Sequence, residues 1–82
     1  MRTVRYTADA AKQLKRYGNV SARIRRAITE YAADRSAHAN NVARLAGSTA
    51  NRMRVGDFRV IFEESDTELL VTKIAPRGDA YD

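Results

Sequence analysis

The chain has no cysteine and one histidine, His38, among its 82 residues. Without thiols it forms neither disulfides nor thiolate metal sites, and one imidazole cannot build a histidine metal centre. No stretch is apolar enough for a signal peptide or long enough for a membrane span. We therefore expect a cytoplasmic protein with no membrane association, no metal and no other cofactor.

Lysine is scarce as well, although the chain is basic. Fifteen Lys and Arg residues against ten Asp and Glu give a net charge of +5, and the only lysines are Lys12, Lys15 and Lys73. The other basic residues are arginines, whose planar guanidinium group binds phosphate through two hydrogen bonds at once. This composition predicts an anionic partner, either a nucleic acid or an acidic protein.

The first half of the chain predicts one strand and two helices. Residues 2–6 alternate polar and apolar side chains, as in a short strand. Thr7 is placed to cap a helix over residues 8–17, and after a turn at 18–19 a second helix reaches about residue 35. The two helices are expected to form a hairpin.

The second half predicts an antiparallel meander. Residues 36–49 show no strong period, and strands are expected over 50–55, 58–64 and 69–75, with Pro76 ending the last one. The length permits a single domain, residues 1–82. The fold class is therefore α+β in the order β-α-α-β-β-β, with an antiparallel sheet packed against the N-terminal helical hairpin.

A tight turn at Gly56-Asp57 brings three arginines together. Glycine at the first central position suits a two-residue type II′ turn, which would place Val55 opposite Phe58 and Arg54 opposite Arg59. Because side chains alternate along a strand, one face of this hairpin carries arginines and the other carries apolar residues. The arginines are Arg52, Arg54 and Arg59, and the apolar residues are Met53, Val55, Phe58 and Val60.

The three arginines have two interpretations. They could form an ordinary solvated face, with Asp57 and Glu63 supplying negative charge nearby. Like charges directly opposite each other in a sheet are unfavourable, however, and a bound phosphate would relieve the repulsion. The hairpin is therefore a candidate anion site.

Arg77 and Tyr81 follow the last predicted strand and could return to the same face. Cations near a tyrosine lower its pKa, which suits a general base, and its ring could instead stack on an RNA base. The alternative is a C-terminal tyrosine that only fills a surface groove.

The segments NRMRVGDFRVIFE and ELLVTKIAPRGDAY resemble the RelE/ParE toxin superfamily of type II toxin–antitoxin modules. Characteristic features are a basic alternating strand, a Gly-Asp-aromatic-Arg turn, and a final strand followed by an arginine and a tyrosine. RLAG, residues 44–47, is similar to the segment that precedes this hairpin in the superfamily. The resemblance implies the RelE-like microbial ribonuclease fold.

The resemblance also implies a chemistry. RelE-type toxins cleave mRNA in the ribosomal A site without a metal, and the RNA 2′-hydroxyl attacks the adjacent phosphate. Basic side chains stabilise the charge that develops on the phosphate, and a tyrosine or lysine helps to move protons. The positions that match this catalytic set are Arg52, Arg54, Arg59, Arg77 and Tyr81.

The chain departs from the pattern at two points. Arg52 and Arg54 stand where known RelE members have lysines, and arginine cannot accept a proton at useful pH. Pro76 stands where many relatives have a histidine. If the chain cleaves RNA, Tyr81 is expected to carry more of the proton transfer.

The resemblance leaves three functions open. The first is a ribosome-dependent mRNA endonuclease that inhibits translation, which the basic and tyrosine set favours. The second is a ParE-like inhibitor of DNA gyrase with the same fold and no ribonuclease activity. The third is a non-catalytic module that serves in operator binding. The expected partner is an acidic antitoxin, through which the complex could bind operator DNA.

Overall fold

The computed structural model describes residues 2–76, so Arg77 and Tyr81 lie outside the described residues. The elements are β1 (Thr3–Tyr6), α1 (Ala8–Arg16), α2 (Gly18–Ala33), a 3₁₀ turn (Ala39–Asn41), β2 (Val42–Arg44), β3 (Asn51–Val55), β4 (Phe58–Glu64) and β5 (Glu68–Pro76). No helix in this part of the chain is both long and apolar enough to cross a bilayer.

Within residues 2–76 the strands form one five-stranded sheet in the order β1-β5-β4-β3-β2. The pairs β2–β3, β3–β4 and β4–β5 are antiparallel, whereas β1 runs parallel to β5. The helical hairpin connects β1 to the rest of the sheet and packs on one face of it. The α+β class and the helical hairpin are confirmed, and the structure adds the parallel pairing of β1.

Residues 42–44, expected to be irregular, form the edge strand β2. Val42 pairs with Met53 and Ala43 pairs with Arg52. A three-residue strand is too short to show a period in the sequence. Its pairing with β3, rather than an alternating pattern, defines it as a strand.

Local signals explain the helices. The Thr7 hydroxyl accepts a hydrogen bond from the Ala10 backbone N–H at 3.1 Å, so the predicted N-cap is present. Helix α1 ends at Arg16, one residue before its expected end, and α2 begins at Gly18, within the expected turn at 18–19. The intervening Tyr17 packs edge-to-face on Phe58, with 4.7 Å between ring centroids.

The main core lies between the helices and one face of the sheet. Apolar side chains from α2 meet the inner residues of β3, β4 and β5, and Tyr31 packs edge-to-face on Phe62. The largest fully buried side chains are Phe62, Ile24, Ile28, Met53, Leu69, Ile74, Val60 and Val71. The apolar side of the predicted hairpin therefore faces the helices.

Glu64 connects three parts of the molecule at the end of β4. Its Oε1 accepts hydrogen bonds from Arg35 Nη2 at 2.9 Å and from the Tyr31 hydroxyl at 3.4 Å. Its Oε2 lies 3.7 Å from Arg2 Nε. Because the Glu64 side chain is only 11% exposed, this cluster fixes the end of α2 and the N-terminal segment against the sheet.

Candidate anion-binding site

The turn between β3 and β4 has the predicted geometry. Gly56 has φ of 58°, and His38 is the only non-glycine residue with positive φ in the described part of the chain, so Asp57 has negative φ. Positive φ at the first central position alone is the pattern of a type II′ turn. Both predicted pairs, Val55–Phe58 and Arg54–Arg59, are observed, and the same register pairs Met53 with Val60 and Arg52 with Ile61.

This register places the three predicted arginines of the hairpin on the sheet face opposite the helices. Strand β5 adds Lys73, which pairs with Ile61 and therefore lies on the same side. We call Arg52, Arg54, Arg59 and Lys73 the basic face. Lys73 was missed at the sequence level because the β4–β5 register shifts at Ile61/Phe62, a shift that alternation alone does not reveal.

The basic face is not uniformly solvated. Arg54 is exposed, Arg52 is partly buried, and Arg59 is only 4% exposed. Ile61 and Ala75, the neighbours of Arg59 along β4 and across on β5, form a second small apolar cluster with Leu45 and Ala50. Part of this face is therefore apolar and shielded from water.

Arg59 is the exceptional member of the face. Its Nε and Nη1 atoms are buried, and neither has a hydrogen-bond partner within residues 2–76. Nor do the two acids proposed to neutralise the face, Asp57 and Glu63, form an ion pair in this part of the chain. A buried cation with unused donors is costly unless an anion satisfies it, so Arg59 is suited to hold one.

The described residues supply charge and hydrogen-bond donors for binding an oxyanion. An arginine fork can hold two oxygens of one phosphate, and the exposed Arg54 opposite Arg59 can approach the same anion. Arginine does not exchange protons at useful pH, so the three arginines of the basic face contribute charge and hydrogen bonds rather than proton transfer. Arg77 and Tyr81 fall outside the described residues, and their roles stay predictions.

Residues 2–76 contain no group of three or more His, Asp or Glu side chains that could hold a metal ion.

Two solved structures share this architecture. One is the RelB–RelE antitoxin–toxin complex from Methanococcus jannaschii, with a TM-score of 0.75, 22% identity, and 95% of each chain covered. The other is the RelBE2 toxin–antitoxin complex from Mycobacterium tuberculosis, with a TM-score of 0.65 and 20% identity over 93% of this chain and 98% of that one. No family model and no curated protein matches the sequence. The similarity establishes a RelE-like toxin fold for this chain.

Proposed function

We propose that this chain is the toxin of a type II toxin–antitoxin system and that it cleaves mRNA in the ribosomal A site. The carrying observation is Arg59, a buried guanidinium with two unsatisfied donors on a face that three further basic side chains share. The fold shared with the toxin chains of two antitoxin complexes supports this assignment.

In the proposed reaction the RNA supplies its own nucleophile. The 2′-hydroxyl oxygen attacks the adjacent phosphorus, the bond from phosphorus to the 5′-oxygen breaks, and a 2′,3′-cyclic phosphate and a 5′-hydroxyl result. Arg59 holds the non-bridging oxygens, and Arg52, Arg54 and Arg77 stabilise the charge that grows on them. Tyr81 takes the proton from the 2′-hydroxyl, and the departing 5′-oxygen gains one from solvent.

The proposed partner is an acidic antitoxin. An excess of arginine on the free toxin favours a negatively charged chain that folds on its surface, and both structural neighbours are complexes of a toxin with an antitoxin. Binding over the basic face would neutralise Arg59 and exclude RNA at the same time. Operator binding through the antitoxin is a further part of this proposal.

Mapping mRNA 5′ ends in cells that express the chain from a tightly repressed promoter tests the assignment. The expected result is cleavage within translated codons that is lost in Arg59→Met and Tyr81→Phe. Arg16→Met, which removes an exposed charge at the end of α1, is the matched control and should still cleave. Intact mRNA accompanied by DNA damage would contradict the proposal and indicate gyrase inhibition.

A further inference from the structure

A second basic site lies beside the β3–β4 turn, between α2 and the segment that precedes β2. It is a cleft of about 270 Å³ lined chiefly by Arg23, Arg26, Arg54, Glu30, His38 and Asn41. We call it the turn cleft. Within residues 2–76, the side chains of Arg23, Arg26 and Arg54 form no hydrogen bond or ion pair, so their guanidinium donors are available to a ligand.

The single acid of the turn cleft is held away from the arginines. Glu30 follows Arg26 by four residues on α2, a spacing at which helices commonly form ion pairs. Its Oε1 instead lies 2.7 Å from His38 Nε2. His38 has φ of 63°, a left-handed conformation uncommon for a non-glycine residue. The backbone thus adopts an unfavourable conformation at the residue that withdraws Glu30 from Arg26.

Gly56 provides the space for Arg23. A Cβ atom at position 56 would lie 3.0 Å from Arg23 Nη1 and 3.3 Å from Arg23 Cζ. The guanidinium therefore rests directly against the turn. Glycine at this position serves both the positive φ of the turn and the close approach of an arginine from α2.

The turn cleft is continuous with the basic face. Strand β2 pairs with β3 only at Asn51, Arg52 and Met53, so this edge of β3 is open at Arg54 and Val55, which both line the cleft. Arg54 also lies directly opposite Arg59. Cationic groups consequently extend from Arg59 through Arg54 to Arg23 and Arg26.

We infer that the turn cleft is a second phosphate-binding subsite for the RNA strand whose scissile phosphate is held at Arg59. This inference rests on the proposed function and deepens it. Arg23 and Arg26 bind a neighbouring phosphate of the strand, and Arg54 bridges the two positions. An extended polyanion suits a continuous row of arginines because each neutralised phosphate releases condensed counterions.

Titrating the full chain with a short fluorescein-labelled oligouridylate over a range of salt concentrations tests the inference. Arg23→Gln/Arg26→Gln is expected to weaken binding about tenfold or more and to reduce the slope of log K against log salt by about 0.7 for each lost contact. Lys12→Gln/Arg16→Gln, on the exposed surface of α1, is the control of equal charge change and should alter both quantities less.

Two further variants test the role of His38 without removing an arginine. His38→Ala releases Glu30 to pair with Arg26 and is expected to weaken oligouridylate binding several-fold. Adding Glu30→Gln to His38→Ala should restore it. If the double variant stays as weak as His38→Ala alone, His38 does not act through Glu30 and this explanation is wrong.

The outcomes separate the inference from the proposed function. If Arg59→Met abolishes mRNA cleavage but Arg23→Gln/Arg26→Gln binds oligouridylate like the control, the turn cleft is no RNA subsite and the nuclease assignment stands. If Arg23→Gln/Arg26→Gln loses affinity only for the acidic antitoxin, the cleft serves the partner and the inference fails. If Arg59→Met still cleaves, the proposed function fails whatever the cleft binds.

Discussion

Arg54 and Arg59 lie directly opposite each other on β3 and β4, yet Arg54 is exposed and Arg59 is buried. Two like charges at facing positions of a sheet repel each other. Water can solvate the exposed guanidinium of Arg54 but not the buried guanidinium of Arg59. The repulsion between the two therefore persists in the free protein, and a bound anion would remove it.

Replacing Arg59 by methionine should stabilise the free protein while removing the proposed mRNA cleavage. The substitution keeps the apolar stem and deletes buried donors that lack partners within residues 2–76, so we expect the free energy of unfolding to rise by about 1–3 kcal/mol. Urea denaturation measures the change. Arg54→Met, at the exposed partner, relieves the same repulsion but leaves the buried donors of Arg59 in place, so its gain should be smaller, about 0.5 kcal/mol. A large loss of stability in Arg59→Met would show that the guanidinium supports the fold.

Glu64→Gln should destabilise the protein without changing RNA binding. The carboxylate accepts hydrogen bonds from Arg35 and Tyr31 and lies beside Arg2 in a largely buried position. An amide keeps the shape but loses the charge, so we expect a loss of about 1–3 kcal/mol in urea denaturation. Glu63→Gln, on the exposed adjacent residue, is the control. Equal effects at the two positions would contradict this account.

Gly56→Ala should cost about 1–2 kcal/mol of stability, because an alanine at φ of 58° brings its Cβ close to backbone oxygen. The methyl group would also displace the Arg23 guanidinium, so weaker oligouridylate binding should accompany the lower stability. Thermal and urea denaturation give the first quantity and fluorescence titration gives the second. Gly18→Ala, where no atom lies within 4 Å of the added Cβ and the conformation is helical, is the matched control.

Tyr6 gives the stability a dependence on alkaline pH. Burial raises the pKa of Tyr6 above its ordinary value of 10.0, although the positive charge of Arg25 acts in the opposite direction. Because the folded state binds this proton more tightly than the unfolded state, the contribution is complete below about pH 10 and is lost as pH rises through the folded pKa. Denaturation from neutral pH to about pH 11 should show a smaller alkaline loss for Tyr6→Phe than for the parent. Parallel curves would exclude this role.

The hairpin was predictable because each of its signals is local. The Gly56-Asp57 turn fixes the register, and alternation then assigns every side chain of β3 and of β4 near the turn to a face. Lys73 was not predictable, because a register shift between β4 and β5 decides which face it joins. The burial of Arg59 was not predictable either, since its apolar neighbours contact Leu45 and Ala50 from a segment without a period.

The turn cleft could not be predicted from the sequence for a similar reason. Arg23 and Arg26 look like ordinary solvated residues of an amphipathic helix, and nothing in their spacing indicates a ligand. Their availability depends on a contact between Glu30 and His38 and on the seating of Arg23 against Gly56. Both are tertiary contacts that join α2 to segments later in the chain.

The parallel pairing of β1 with β5 has a consequence for biosynthesis. β5 lies between β1 and β4, so the sheet is interrupted until residues 68–76 have been translated. Contacts between such distant parts of a chain form slowly, because a long loop must close first. A nascent chain of this protein therefore cannot assemble the complete sheet until β5 has been synthesised, so β1 waits without its sheet partner through most of translation.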